Sequence, residues 1–309
     1  MKNLWVEEYR PSKLDDYVFM NQNQRTQIEE WVKAGEIPHL LFSGSAGIGK
    51  TTMAKMLIGL MNVDPYDILE INASRETGVD HLRDTVIGFT STMPFGKFKI
   101  VLLDEADYLS HNAQATLRGV METYAASARF ILTCNYPNKI IPALHSRCQG
   151  FHFEKLDHTE FTARAATILV TENVEFDLDT LDSYVKATYP DLRKCINSLQ
   201  LNSGSGTLLA PSTTSVTSDD YKLKMVDLFK KGKVREARQL LCGQVRPEEY
   251  DDFFRWAYSN LDLWSGSPEG QDEAILIIRR GLVNHSMVAD PEINVAAMLI
   301  ELSQIQEAV

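Results

Sequence analysis

Cysteine is scarce: the 309 residues hold four, at positions 134, 148, 195 and 242. None forms a C-x-x-C pair, so neither a structural zinc module nor a disulfide framework has support, and free, partly buried thiols are expected. Long apolar runs are missing too. No stretch is long enough to span a bilayer, and Met1-Lys-Asn-Leu-Trp5 is no signal peptide, so a cytoplasmic protein with no membrane partner is expected. Positive charge is in deficit, with 31 Lys and Arg against 42 Asp and Glu and a net charge of −11. That excludes a protein that binds nucleic acid over its whole surface, while a local basic track within an assembly stays compatible. The 44% apolar and 24% charged fractions are those of ordinary globular domains, and the length predicts two or three of them.

What is present begins with Gly44-Ser-Ala-Gly-Ile-Gly-Lys50-Thr51, which fits G-x-x-x-x-G-K-[S/T]. A short apolar strand, His39–Phe42, precedes it, and a helical pattern, Thr52–Met61, follows. Strand, glycine loop and helix in that order make a phosphate site. Gly44, Gly47 and Gly49 leave room for the backbone N–H groups to point inward. Lys50 reaches the outer phosphates and the Thr51 hydroxyl suits Mg²⁺.

Lys99-Ile-Val-Leu-Leu-Asp-Glu-Ala-Asp107 reads as a strand buried on both faces with acids at its end. Open α/β sheets bind ligands there. Asp104 would hold Mg²⁺ through water, and Glu105 would act as general base on the attacking water. Arg129–Asn135 is a third buried strand, after a second at Ile68–Ile71. It places the Asn135 amide near the γ-phosphate if it lies beside the strand ending in Asp104. Arg147 precedes a last short strand, Gly150–Phe153, with no obvious local partner. It reads equally as an ordinary salt-bridge residue or as an arginine finger serving a neighbouring molecule's phosphate. Gln114 and Arg118 lie four apart on the helix Asn112–Tyr124, beside its core face, where an exposed polar edge is the plain reading.

From Asp157 the pattern is helical: Thr159–Glu172, an Asp-capped Asp179–Thr188, and Tyr189–Leu201 with Pro190 in its first turn. Arg193, in that first turn, reads equally as a surface residue or as a second phosphate contact. Asn202–Ser218 is rich in Ser, Thr, Gly and Pro and reads as a linker. Residues 219–309 show helical periods alone and few residues that look chemical, so packing, against copies of the chain itself, is their expected use.

With these residues in view, the chain resembles the clamp-loader ATPases of the AAA+ superfamily over residues 4 to about 201. The likeness is to the small subunits of replication factor C, and still more to the large subunit of the bacteriophage clamp loader. Trp5-Val-Glu-Glu-Tyr-Arg-Pro11 resembles the N-terminal box that lines the adenine pocket. Gly44–Thr51 resembles Walker A, Asp104-Glu-Ala-Asp107 Walker B, Asn135 sensor 1, and Ser146-Arg-Cys148 the S-R-C motif. Leu192–Gln200 resembles the sensor 2 helix. Tyr189-Pro190-Asp191 carries the lean towards the phage proteins.

The resemblance implies a doubly wound α/β AAA+ P-loop domain over 1–156, a small helical lid over 157–202, a linker over 203–218, and an all-helical collar over 219–309. It implies an ATPase, bound to ATP and Mg²⁺, that opens a sliding clamp and loads it on primer-template DNA. Its adenine side would use Val6, Tyr9, Arg10, Pro11 and Val18. Its phosphate side would use Gly44, Ala46, Gly47, Ile48, Gly49, Lys50, Thr51 and Thr52, with Arg193 as γ-phosphate sensor. Lys50, Asp104, Glu105, Asn135 and a neighbour's Arg147 would form the catalytic set, with Thr51 and Asp104 on Mg²⁺. Gln114 and Arg118 would face DNA and relay its presence to the ATP site. Copies of the chain in a ring or spiral, a second clamp-loader subunit, the clamp and DNA are the implied partners, in the host cytoplasm if the protein is viral. Thr77 and Gly119 depart from the basic residues that relatives place there. Two rivals stand: a DEAD-box RNA helicase, which needs a second recombinase-like domain, and a nucleotide-binding scaffold subunit without turnover.

Overall fold

The structure is a computed structural model, and it describes residues 4–75, 79–210, 221–244, 250–285, 287–288 and 290–307. Thr77 therefore lies outside the described residues, as do residues 211–218 of the expected linker. The chain forms two compact units, 1–164 with 190–196, and 165–189 with 197–309.

The first unit is built on five parallel strands, β1 (Leu40–Gly44), β2 (Ile68–Asn72), β3 (Lys99–Asp104), β4 (Ala128–Cys134) and β5 (Gln149–Phe153), in the order β2-β3-β4-β1-β5. Ile100, Val101, Leu102 and Leu103 are fully buried, as the uninterrupted apolar run predicts for a strand covered on both faces. β3 and β4 are neighbours, with Leu103 opposite Leu132, so the chain ends Asp104 and Asn135 emerge at one edge of the sheet. β1 lies on the other side of β4, Ser43 opposite Cys134, which brings the glycine loop to the same edge. The loop ends in α3 (Lys50–Leu60), which buries Met53, Ala54 and Leu57 under the sheet. α5 (His111–Thr123) is capped by Ser110, whose side chain accepts from the Ala113 N–H. It covers the opposite face with Ala113, Leu117, Val120 and Met121.

Before β1, α1 (Trp5–Glu8) and α2 (Gln22–Ala34) flank the aromatic residues Tyr17 and Phe19, whose rings meet edge-on. α2 stops at Gly35, whose φ of +61° is a left-handed cap that glycine takes without strain. The remaining elements of this unit are α4 (Val79–Thr90), the short α6 (Pro142–His145), the start of α7 (His158–Thr171) and the first turn of α9 (Leu192–Leu201).

The second unit holds α8 (Leu178–Thr188) and α10 (Tyr221–Lys230), α11 (Val234–Gln244), α12 (Tyr250–Ser259), α13 (Pro268–His285) and α14 (Pro291–Glu307). The cap of α8 is Asp177, which accepts from the Thr180 N–H, and not Asp179. Trp256 on α12 donates its indole N–H to the Lys186 carbonyl, and Lys186 pairs with Asp262 at 2.5 Å. The start of the expected linker is packed chain: Asn202, Ser203 and Leu208 are buried, and the Tyr184 hydroxyl donates to the Leu209 carbonyl. Glycine and serine serve there to turn the chain tightly, with Gly206 at φ +83°, rather than to keep it loose. Among the described residues no helix is long and apolar enough to cross a membrane. All four cysteines are free thiols.

Candidate active site

Lys50 stands at the start of α3, with its stem buried and its ammonium turned back into the loop. Nζ donates to the carbonyls of Gly44 at 2.9 Å and Ser45 at 2.6 Å, and to Asn135 Oδ1 at 2.9 Å. Burial lowers its pKa, and the nearby charge of Arg193 acts in the same direction, while Asp104 and Asp107 oppose it. All three protons of the ammonium go to neutral acceptors, for which phosphate oxygens would be charged and stronger replacements.

The glycines make the loop possible. Gly47 has φ +75°, and a Cβ there would stand 1.8 Å from Asp191 Oδ1. Gly44, at φ +144°, has the Phe153 carbonyl 2.2 Å from the same notional atom. Ile48 sends its side chain into the core beneath the sheet, so only its backbone N–H would be left for a phosphate. Ala46 is exposed, while Gly47, Gly49, Thr51 and Thr52 are half-buried.

Two acids and a threonine close the site at the end of β3. Thr51 Oγ1 donates to Asp104 Oδ1 at 2.6 Å, so the two expected Mg²⁺ holders are in contact. A hydroxyl and a carboxylate are hard oxygen donors of the kind Mg²⁺ takes, and the pair fits that ion. Glu105 has φ +58° and ψ +43°, a left-handed backbone that glutamate rarely adopts. Its carboxylate is half-exposed and has no hydrogen bond or ion pair among the described residues. Asp107, buried, accepts from the N–H groups of Asn135 and Tyr136, both at 3.2 Å, and so holds the turn that carries Asn135. Burial and Asp107 together push the Cys134 thiol up to about 12, so it stays protonated.

Of the residues expected on an adenine side, Val18 is buried, Val6, Tyr9 and Pro11 are half-buried, and Arg10 is tied to Glu7 at 2.7 Å. Tyr17 was not singled out by sequence, yet its hydroxyl donates to the Gly49 carbonyl at 3.2 Å and its ring covers Gly49. Asp191 was missed as well. It caps α9 by accepting from the Lys194 N–H at 2.9 Å, and it brings Arg193 of the same turn towards Lys50. An Asp followed by an apolar helical period is a cap signal that could have found it.

The expected exposed edge on α5 is half right. Arg118 is exposed, but Gln114 is only 2% exposed. Its Nε2 donates to the Leu109 and Lys139 carbonyls at 3.1 and 3.0 Å, and its Oε1 accepts from the Ile141 N–H at 2.8 Å. Buried polar groups must be paired, and this amide pairs fully by bracing the loop that leaves Asn135. Arg147 does have a local partner. It forms an ion pair with Glu122 on α5, and its Nη1 donates to the Ala143 carbonyl at 2.8 Å.

Residues 40–155 match the family described as "ATPase family associated with various cellular activities (AAA)". The chain is 38% identical over 250 residues to the replication factor C small subunit of Picrophilus torridus, covering 78% of each chain. It is 38% identical over 274 residues to that of Methanococcus vannielii, covering 85% of this chain and 83% of the relative. Against the small subunit of Sulfurisphaera tokodaii the identity is 41% over 248 residues, 77% of this chain and 75% of the relative. Among solved structures, the RuvB Holliday junction branch migration motor of Thermotoga maritima aligns with a TM-score of 0.55 at 15% identity, over 72% of this chain and 78% of that one, a likeness of fold. The helicase reading needs a second sheet, and among the described residues the second unit has none. With its P-loop, its acids and its relatives in agreement, the chain belongs to the replication factor C small-subunit family of AAA ATPases.

Proposed function

We propose that the protein is an ATP-driven motor subunit that opens a ring-shaped sliding clamp and places it on primer-template DNA. The observation that carries this is the convergence of two hydrogen-bonded pairs, Lys50 with Asn135 and Thr51 with Asp104, at one edge of the sheet, in a chain of this family. Phosphate oxygens would take over Lys50 from the loop carbonyls, with Arg193 alongside. Asn135, held by Asp107, would orient the γ-phosphate. Glu105 would take the proton of the attacking water as the bond between the γ-phosphorus and its bridging oxygen breaks. Mg²⁺, held by Thr51 and Asp104, would supply charge neutralisation at the phosphates. Arg147 touches Glu122 and Ala143 and is 31% exposed, which suits a finger offered to a neighbouring copy. A lone monomer would then turn ATP over poorly.

Exposed surfaces support this reading of the partners. Met93 and Phe95 are 90% and 78% exposed, and the Phe95 ring lies 5.9 Å from that of Tyr66, itself 78% exposed. A protruding apolar patch of this kind suits docking to a protein, here the clamp. Leu276, Val283, Met287 and Ile293 are exposed at the end of the chain and suit packing against other subunits of a collar, whether copies or a second kind of subunit. Arg118 and Lys139, both exposed, suit DNA phosphates, with Gln114 as the relay to the ATP site. A Cβ at Gly119 would meet nothing within 4 Å, so the grip lacks a side chain there that the fold could accommodate. The division into nucleotide domain, lid and collar belongs to this proposal. So does the finer likeness to the bacteriophage large subunit, which rests on Tyr189-Pro190-Asp191.

The test is ATP turnover by the complex purified with its partners, run alone, with clamp, and with clamp plus primer-template DNA. Strong stimulation that needs both and disappears in Arg147→Ala supports the loader and the trans finger together. Turnover indifferent to the clamp removes the loader reading. A Glu105→Gln protein that behaves like wild type would instead support the scaffold reading.

A further inference from the structure

Thr133 bonds to the first two of the three acids of the Asp-Glu-Ala-Asp segment, Asp104 and Glu105. It stands in β4, 1% exposed, one strand across from Asp104. Its Oγ1 donates to Asp104 Oδ1 at 2.6 Å and accepts from the Glu105 N–H at 3.0 Å. A backbone N–H can only donate, so the hydroxyl proton goes to the carboxylate and the direction of the chain is fixed. Asp104 Oδ1 thereby accepts two hydroxyls, from Thr133 and from Thr51. Oδ2 has no hydrogen bond among the described residues.

The second half of the contact concerns Glu105. Its left-handed backbone costs on the order of 1 kcal/mol or more and persists only where the surroundings hold it. The bond from its N–H to Thr133 is such a hold. Packing alone would not ask for threonine here. Valine has the same shape, suits a buried strand at least as well, and buries no hydroxyl.

We propose that Thr133 is a positioning residue for ATP hydrolysis: one hydroxyl orients the Asp104 carboxylate and pins the Glu105 backbone, so metal holder and base keep a fixed relation. This rests on the reading of Asp104 and Glu105 given above.

The experiment compares Thr133→Val and Thr133→Ser in the complex with its partners, clamp and DNA, with Glu105→Gln as control. Four quantities are read: kcat, KM, melting temperature, and affinity for a fluorescent ATP analogue in EDTA and across a magnesium titration. For Thr133→Val, kcat falls about 10–100-fold, the usual range for removing a group that orients a metal ligand. The magnesium needed to tighten analogue binding rises, while affinity in EDTA stays within about twofold because the phosphate contacts are untouched, and melting falls only by the few degrees that an unpaired Glu105 N–H costs. Thr133→Ser recovers most of kcat. Wild-type turnover in Thr133→Val overturns the proposal. So does a parallel loss of EDTA affinity and melting temperature, or a failure of serine to restore. If Glu105→Gln turns over normally, the base reading falls and the proposal with it. If that control is inactive while Thr133→Val is normal, the proposal alone falls.

Discussion

Arg147 and Glu122 join the turn before β5 to the last turn of α5 by an ion pair. The same helix, two turns earlier, carries Gln114, which braces the loop from Asn135. One helix thus holds the candidate finger at one end and the candidate ATP site of its own subunit nearer the other. Glu122→Ala is expected to release the Arg147 side chain and lower clamp- and DNA-stimulated turnover severalfold. Stability should barely move, since a pair this exposed contributes at most about 1 kcal/mol. The decisive measurement is a double-mutant cycle: in an Arg147→Ala background the Glu122 substitution should cost nothing more.

Gly47→Ala is expected to weaken nucleotide binding by at least about tenfold. The added methyl meets the Asp191 carboxylate, and the left-handed φ adds on the order of 1 kcal/mol against any residue with a Cβ. Calorimetric titration with ATP checks this. Gly119→Ala, where nothing stands within 4 Å, is the matched control and should bind normally.

His39 links pH to stability. Burial, helped by the charge of Arg129, lowers its pKa to about 4, and its Nδ1 accepts from the Phe130 N–H at 3.1 Å. The unfolded chain takes up the proton at about 6.5. Protonation therefore favours unfolding: the contribution is fully present above pH 6.5 and is lost as pH falls towards 4. Melting temperatures from pH 7 to 5 should drop further for wild type than for His39→Asn, whose amide oxygen can accept the same N–H without titrating.

Phe95→Ser together with Met93→Ser should leave the fold and the clamp-independent ATPase unchanged, because both side chains are almost wholly in water. The backbone beneath them is fixed by Asp67, which accepts from the Phe95 and Gly96 N–H groups at 3.1 and 2.7 Å. Clamp stimulation should vanish, and surface-plasmon measurement of clamp binding should show it directly. Unchanged clamp affinity would move the docking surface elsewhere.

The strand–loop–helix from Leu40 to Leu60 was legible because its signals are local: a glycine pattern between a short apolar run and a helical period. The buried runs of β3 and β4 were legible for the same reason, and the position of Asn135 followed once the strands were neighbours. What escaped was contact across the chain. Arg147 looked partnerless because Glu122 lies 25 residues earlier. Gln114 was read as surface from its pairing with Arg118, although it shares the i, i+3, i+7 stripe of the buried Leu117 and Met121. Thr133 was hidden by its neighbours, since a single hydroxyl in an apolar strand leaves no periodic trace.

The left-handed backbone at Glu105 sets folding and chemistry against each other at one position. A glycine there would sit without strain and a folded chain would lose nothing by it, while the carboxylate would be gone. Misfolding surveillance would therefore be blind to Glu105→Gly. If Glu105 is the base proposed above, such a subunit would be inactive and yet enter assemblies as readily as an active one, so a turnover assay and not a folding assay would report the change.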